Sequence, residues 1–322
     1  MWPTHQLENA LACLRAGHTV AIPTETVYGL AANALDVAAV AEIFRIKNRP
    51  AFDPLIVHVA SLEAALPYVT ELPELVKRIY TALGPGPVTY ILPKNERIPD
   101  LVTAGHPTVG IRIPDHPLTL ALLKQIDFPL AAPSANPFGF TSPTTAAHVQ
   151  QQLGDAVCCI LDGGPCRVGL ESTILDCSGQ QLRVLRLGGL SLEALEAAAG
   201  QPINQIQTSS SNPQAPGMLI KHYNPGKPLR LLAQGAALPA TNPSRTGLLR
   251  WQTAVDGIPI HHQRILAVDG RTETAAARLF AALRELGELD IDLILAEEAP
   301  QHGLGLAIND RLRRAAASTD WE

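Results

Sequence analysis

One stretch of forty residues near the N-terminus constrains this chain more than any other. Residues 20–59 read VAIPTETVYGLAANALDVAAVAEIFRIKNRPAFDPLIVHV. The apolar run Val20–Ile22 stops at Pro23, and a turn rich in hydroxyls follows: Thr24, Glu25, Thr26, Tyr28 and Gly29. Asp36 is placed to cap a helix, and Val37, Val40, Ala41 and Phe44 repeat at helical spacing, which predicts one buried face. Lys47 and Arg49 close that helix, with Pro50 as its stop. The run 55–59 then alternates, so Leu55, Val57 and Val59 share one face while Ile56 and His58 share the other. Strand, turn, helix and strand thus bring hydroxyls, two cations and a histidine to their joints. That grouping suits a small-molecule site more than a packing unit.

Alternating helices and strands continue to about residue 200. A helix over 74–83 is followed by the loop GPGPVT and the strands TYILP and TVGIRIP. Helix 117–125, strand PLAAPSAN, helix 144–153 and the strands AVCCILD, STILDC and RVLRLG come next, then helix 191–199. Mixed order with several crossovers predicts an open, twisted α/β sheet. No GxGxxG follows the first strand, so the unit is not a simple dinucleotide fold. Between 201 and 227 Ser, Asn, Gln and Pro dominate and no apolar period survives, as in a linker. It carries His222 and Tyr223 before a Pro-Gly turn, groups that fit a lid as well as a packed tail. Residues 228–322 form a second unit. Strand RILAVD, a helix over 273–286 with Ala277, Phe280, Ala281 and Arg284 at helical spacing, and strand IDLILAE predict a small parallel Rossmann-like sheet. In the following GLGLAI, Ile308 stands where a dinucleotide fingerprint needs a small residue.

At 322 residues two domains are expected, and 46% hydrophobic with 17% charged residues fits a soluble globular enzyme. No apolar run reaches the length of a membrane span. The first residues lack a basic leader, and Leu7, Leu11 and Leu14 read as an amphipathic helix, so a cytoplasmic location is expected. The five cysteines form no CxxC pair and predict reduced thiols, with Cys158 and Cys159 in a buried apolar run. Net charge is −5 overall, and neither half is basic, which opposes a general affinity for nucleic acid.

The strand TVGIRIP is the clearest geometric clue. Val109, Ile111 and Ile113 face one side, and Thr108, Gly110 and Arg112 the other, with the glycine expected to leave a ligand room. Arg112 needs an anion, either an internal carboxylate or a ligand's carboxylate or phosphate. In LAAPSANPFGFTSPTTAAHV, Ser134, Asn136 and Thr144 line a loop leading into a helix N-terminus, fit for an anion or a nucleoside and equally for turn chemistry. GLESTILD and RVLRLGG add Ser172 and Arg186. There is no nucleophile elbow, HExxH, zinc spacing or P-loop. Many donors and cations without a nucleophile point to a reaction whose nucleophile belongs to the substrate, most naturally transfer at phosphorus.

PTETVYGLAANA, Lys47-x-Arg49 with DPLIVHV, TVGIRIP, Ser134-x-Asn136 with SPTTA, and ESTILD followed by LRLGG together resemble the YrdC/Sua5 family. APGMLIKHYNPGKP and GLGLAINDRLRRAA resemble that family's linker and the end of its C-terminal domain, as in the two-domain Sua5 type. The resemblance implies a YrdC-like catalytic domain over 1–200, a linker or lid over 201–227 and a Sua5-type domain over 228–322. It implies an L-threonylcarbamoyladenylate synthase, a nucleotidyltransferase that joins L-threonine, bicarbonate and ATP and releases pyrophosphate. A separate transferase complex would use the product to make N6-threonylcarbamoyladenosine at tRNA position 37. Threonine would be held by Thr26, His58, Arg112, Ser134 and Ser172, with Arg112 on its carboxylate. ATP, with Mg2+ and no organic cofactor, would be held by Lys47, Arg49, Asp53, Thr108, Asn136, Thr144, Arg186, His222 and Tyr223. Lys47 and Arg49 would stabilise charge, with no covalent nucleophile and no metal ligand assigned to the protein.

Two positions depart from the family pattern. Asp53 stands where Asn is common, a carboxylate near a triphosphate that needs a ribose, a metal or a cation to face, and Ala215 precedes Pro216-Gly217 where Ser is usual. Two rival readings have specific weaknesses. An RNA-binding module is opposed by the charge of −5 and by the lack of interleaved aromatic and basic residues, so direct tRNA binding is not expected. Carbamoyl transfer in hydrogenase maturation uses a similar domain, but with a zinc-finger spacing that this chain lacks.

Overall fold

The computed structural model describes residues 4–179, 181–205, 213, 215–219 and 221–318. Much of the predicted linker, 206–212 together with 214 and 220, therefore lies outside the described residues.

The N-terminal sheet contains β1 (Val20–Ile22), β2 (Gly29–Asn33), β3 (Ile56–His58), β4 (Val88–Pro93), β5 (Thr108–Arg112), β6 (Leu130–Ala131), β7 (Cys159–Ile160), β8 (Thr173–Asp176), β9 (Arg183–Arg186) and β10 (Asn204–Gln205). Their order is β10-β9-β8-β4-β5-β3-β6-β2-β1-β7, with parallel and antiparallel neighbours. It is the open, mixed α/β sheet that the element order predicts. β5 lies in the middle with β3 parallel on one side and β4 antiparallel on the other, so Arg112 stands opposite His58 and Thr89.

Helices α1 (Thr4–Arg15), α2 (Val37–Lys47), α3 (Glu74–Leu83), α4 (Asp100–Thr103), α5 (Pro117–Leu123), α6 (Ala146–Leu153) and α7 (Leu192–Ala199) cover this sheet. Leu55, Val57, Val59, Val109, Ile111 and Ile113 pack against α2, α3, α4 and α7, as the alternation predicts. Ile56, Ile91, Ile174 and Leu185, on the opposite face, are covered by Ala215 and Met218 of the linker. Asp36 does cap α2, accepting from the Ala38 and Ala39 amides. The buried face of α2 is rotated from the predicted one, however: Ala39, Val40, Ile43, Phe44 and Lys47 are inside, while Val37 and Ala41 are exposed. Burying Lys47 sets the rotation, because Val40, Ile43, Phe44 and Lys47 follow one helical stripe.

The second unit holds β11 (Leu229–Leu232), β12 (Thr246–Arg250), β13 (Gln263–Ile265) and β14 (Leu293–Glu297), with α8 (Thr272–Glu288) and α9 (Gly305–Ala317). All of its strands are parallel, in the order β11-β14-β12-β13. Its core is not self-contained, because Val27 and Leu170 of the first unit and Tyr223 of the linker pack into the same cluster as Leu279, Phe280 and Leu312. Arg284 on α8 donates across the junction to the Thr141 carbonyl at 2.8 Å. Gly169, at φ +76°, lies so close that a methyl there would collide with the Ala276 carbonyl of α8.

The cysteine reading needs correction. Cys13 on α1 and Cys158 beside β7 form a disulfide across 145 residues of sequence, so these two thiols are not reduced. Cys158 is exposed and Cys159 half-buried, not core residues. The run shortens to a two-residue edge strand packed on α1, which leaves its first cysteine at the surface.

Candidate active site

A cavity lies between β3, β5, β9, the residues preceding β8, and the linker. Thr24, Arg49, His58, Arg112, Ser134, Glu171, Ser172, Arg186, Gly217, His222 and Tyr223 are among its lining residues. Pro216, Gly217, His222 and Tyr223 of the linker form part of its wall, and about 50 Å³ is free. Small-molecule sites usually offer ~300–1,000 Å³, so a nucleotide needs more room than this.

Its electrostatics rest on three buried ion pairs. Arg112 Nη2 donates to Glu25 Oε1 at 2.8 Å and to Thr26 Oγ1 at 2.6 Å, while its buried Nε has no partner. The internal carboxylate is therefore present, and Arg112 still keeps a donor in hand. Arg49 lies 2.9 Å from Asp53, off the line of a hydrogen bond, and donates to the Asp53 and Pro54 carbonyls. Asp53 thus faces a cation. Burial raises its pKa, with Arg49, Lys47 and Arg186 acting the other way. The third pair is Arg311 with Glu171, whose Oε2 accepts from Nε and Nη2 at 3.1 Å each. Burial alone would raise the Glu171 pKa, but Arg311, Arg186 and the Ser142 hydroxyl bring it down to about 2.

Two cations of the site, Lys47 and Arg186, hold carbonyls instead. Lys47 Nζ donates to the Ser134 and Asn136 carbonyls at 2.5 Å each, and burial with Arg49 nearby holds its pKa well below the ordinary ammonium range. Arg186 donates to the Ser172 carbonyl at 2.8 Å and to Pro216 at 2.9 Å, and burial lowers its pKa to about 10. Burial also drops the imidazoles of His58 and His222 to about 3, so both are neutral at physiological pH. The Nδ1 of His222 is buried without a partner. Tyr223, at φ +66°, stacks on Phe280 at 5.4 Å and lies 4.1 Å from the His222 ring.

Several predicted residues stand behind the wall instead of in it. Lys47 braces the Ser134–Asn136 loop, and Thr26 is Arg112's acceptor. Asn136 Nδ2 bonds the Pro137 and Phe140 carbonyls, and its Oδ1 is buried without a partner. Thr144 precedes the α6 cap Thr145 and meets His148, off the cavity wall. Thr108 opens β5, about 13 Å along the strand from Arg112. Gly110 does not leave a ligand room, since an added Cβ would press on Thr89 and Ile91 within 3.3 Å. Glu171, Ser142, Pro216, Gly217 and Arg311 were given no role from sequence. The first of these adjoins Ser172, and a buried carboxylate beside a predicted site residue was the available signal.

Comparison with known proteins settles the family. The Sua5/YciO/YrdC family model, described as telomere recombination, matches residues 12–188, and the model for the threonylcarbamoyl-AMP synthase C-terminal domain matches 190–317. The chain belongs to the Sua5/YciO/YrdC family. It is of the two-domain Sua5 type. The threonylcarbamoyl-AMP synthase of Bacillus subtilis is 40% identical across 97% of this chain and 93% of its own length. The Schizosaccharomyces pombe enzyme of the same name is 36% identical across 97% and 88%. The crystal structure of Pyrococcus abyssi Sua5 complexed with L-threonine matches at a TM-score of 0.88 and 37% identity, covering 97% of this chain and 94% of that one.

Proposed function

We propose that this Sua5-type protein is an L-threonylcarbamoyladenylate synthase, a nucleotidyltransferase that makes threonylcarbamoyl-AMP and pyrophosphate from L-threonine, bicarbonate and ATP. The observation that carries the reading is the cation-lined cavity, in a chain whose near full-length relatives bear that enzyme name. Ser172 and Thr24 of the wall bond Thr89 and Thr26, not a base.

Arg112 offers its unpartnered Nε to the threonine carboxylate, with Glu25 balancing its charge, so recognition rests on hydrogen-bond direction more than on net attraction. Neutral His58, beside Arg112 in register, faces the same ligand without adding charge. Ser134 and Ser172 supply hydroxyls. The amine of threonine attacks the carbon of bicarbonate, whose C–OH bond breaks so that the hydroxyl leaves as water with an amine proton, to give a carbamate; a carbamate oxygen attacks the α-phosphorus, and the bond to pyrophosphate breaks. Arg49 and Arg186 meet the charge on the phosphates, an electrostatic role that needs no covalent intermediate. His222 and Tyr223 close over the mixed anhydride and keep water from it.

Magnesium fits as a companion of the triphosphate, not as a resident of the protein. The carboxylates Glu25, Asp53 and Glu171 already face arginines, and no metal-binding cluster of His, Cys, Asp and Glu occurs among the described residues. The product passes to a tRNA-modifying threonylcarbamoyl transferase complex in the cytoplasm. No described helix is long and apolar enough to cross a membrane. Pyrophosphate release is the test: it must require both threonine and bicarbonate, and release indifferent to threonine refutes the assignment.

A further inference from the structure

Arg311, on α9 of the C-terminal domain, is wholly buried and reaches into the wall of a cavity built mostly by the other domain. It touches two walls at once. Its Nε and Nη2 grip one oxygen of Glu171, whose other oxygen accepts from Ser142 at 2.7 Å. Its guanidinium also lies over the Tyr223 ring, 5.4 Å from the centroid, with Phe280 on that ring. Asp310 accepts from Nη1 at 2.8 Å and fixes the remaining edge. One turn on, Arg314 binds the Leu219 carbonyl and its own carbonyl accepts from the His222 amide, while Ser318 donates to the His222 carbonyl at 3.0 Å. α9 therefore holds the lid at several points.

We propose that Arg311 is a positioning residue of the active site, a latch that orients Glu171 in the cavity wall and holds the lid's Tyr223 closed. The C-terminal domain then completes the catalytic site and is more than a separate binding module. Glu171 and Tyr223 come from segments 52 residues apart, and this guanidinium contacts both of them. A ligand that displaces the lid separates Tyr223 from Arg311, and reclosure restores the contact. Lid position and the charge around Glu171 are thereby linked. The groups facing Glu171 are Arg311 from α9, Arg186 from β9, His222 and Tyr223 from the lid, and the Ser142 hydroxyl.

The inference rests on the proposed synthase activity for one of its two readouts only. The first readout is hydrogen exchange of residues 221–224 in the full-length protein without ligands. Arg311→Met, which keeps bulk and removes charge, speeds exchange there at least tenfold while the β4 and β5 amides stay unchanged; Arg311→Lys gives an intermediate rate. The second is the pH profile of threonine-dependent pyrophosphate release. Arg311→Met moves the acidic limb upward by a unit or more as Glu171 loses its partner, and adding Glu171→Gln removes that shift. Arg311→Lys, which retains the charge, serves if the methionine variant does not fold. Unchanged exchange in the lid of a folded variant overturns the latch, as does a uniform loss of rate with no shift in the profile. Faster exchange in a protein whose wild type releases no pyrophosphate with threonine upholds the latch and defeats the synthase reading.

Discussion

Arg112 and Glu25 form a buried ion pair at 2.8 Å, yet Arg112, which lines the cavity, retains a buried Nε without a partner. The pair joins the hydroxyl turn after β1 to the middle strand of the sheet. It also explains how a cation persists in a buried site before any ligand arrives. Desolvating one charge alone is expensive, and an internal carboxylate offsets that cost.

Replacing one partner should therefore do two kinds of damage. Arg112→Ala leaves Glu25 buried without its cation and should cost about 3–5 kcal/mol of stability. Arg112→Gln with Glu25→Gln should recover much of that stability in a thermal melt. It should not recover threonine use, because glutamine's shorter, neutral amide does not replace the guanidinium facing the carboxylate. Recovery of both would place the carboxylate elsewhere.

Lys47 and Arg49 should separate in their effects although they lie two residues apart. Lys47 holds the Ser134 and Asn136 carbonyls from behind, so Lys47→Met should raise KM for threonine and ATP together. Arg49 lines the cavity, and Arg49→Met should act chiefly on ATP. Steady-state kinetics with each substrate varied in turn distinguishes the two.

Acid should unfold the protein through its buried imidazoles. His58 and His222 titrate near 3 when folded and near 6.5 when exposed, so between those values only the unfolded chain takes up the proton. Stability therefore falls as pH drops from about 6.5 toward 3, by about 1.4 kcal/mol per pH unit for each histidine. Glu171 adds to the loss as pH falls from about 4.5 toward 2, where its folded form finally protonates. Denaturant melts across this range check the slope, and His58→Asn should lower it by the share of one histidine.

Gly217 tests the lid. Its φ is +76°, and a Cβ there would stand 3.2 Å from Arg186 and from the Tyr223 hydroxyl. Gly217→Ala should weaken closure by about 1–2 kcal/mol from backbone strain, a 5- to 30-fold loss in kcat/KM with the melting of β4 and β5 unaffected.

Local pattern made the sheet and half of the site legible. The period-2 alternation of β3 and β5 set His58 and Arg112 on one face, because strand geometry carries that information residue by residue. Long-range choices were not legible. The stripe of α2 turned on whether Lys47 would be buried, which depends on two carbonyls 87 and 89 residues away. The same holds for Arg311 and Glu171, 140 residues apart, and for the Cys13–Cys158 disulfide. Gly110 was misread for a related reason, since the neighbours that fill its space come from other strands. Thr108 shares a face with Arg112, but face alone says nothing of the distance along a strand.

The central claim is that a carbon from bicarbonate and the nitrogen of threonine end up on AMP. Incubating the protein with ATP, L-threonine and carbon-13 bicarbonate, and then analysing the quenched mixture by mass spectrometry, tests it directly. The account predicts threonylcarbamoyl-AMP carrying one heavy carbon, formed together with pyrophosphate. ADP and phosphate in place of pyrophosphate, or an adenylate of threonine without the labelled carbon, would contradict it.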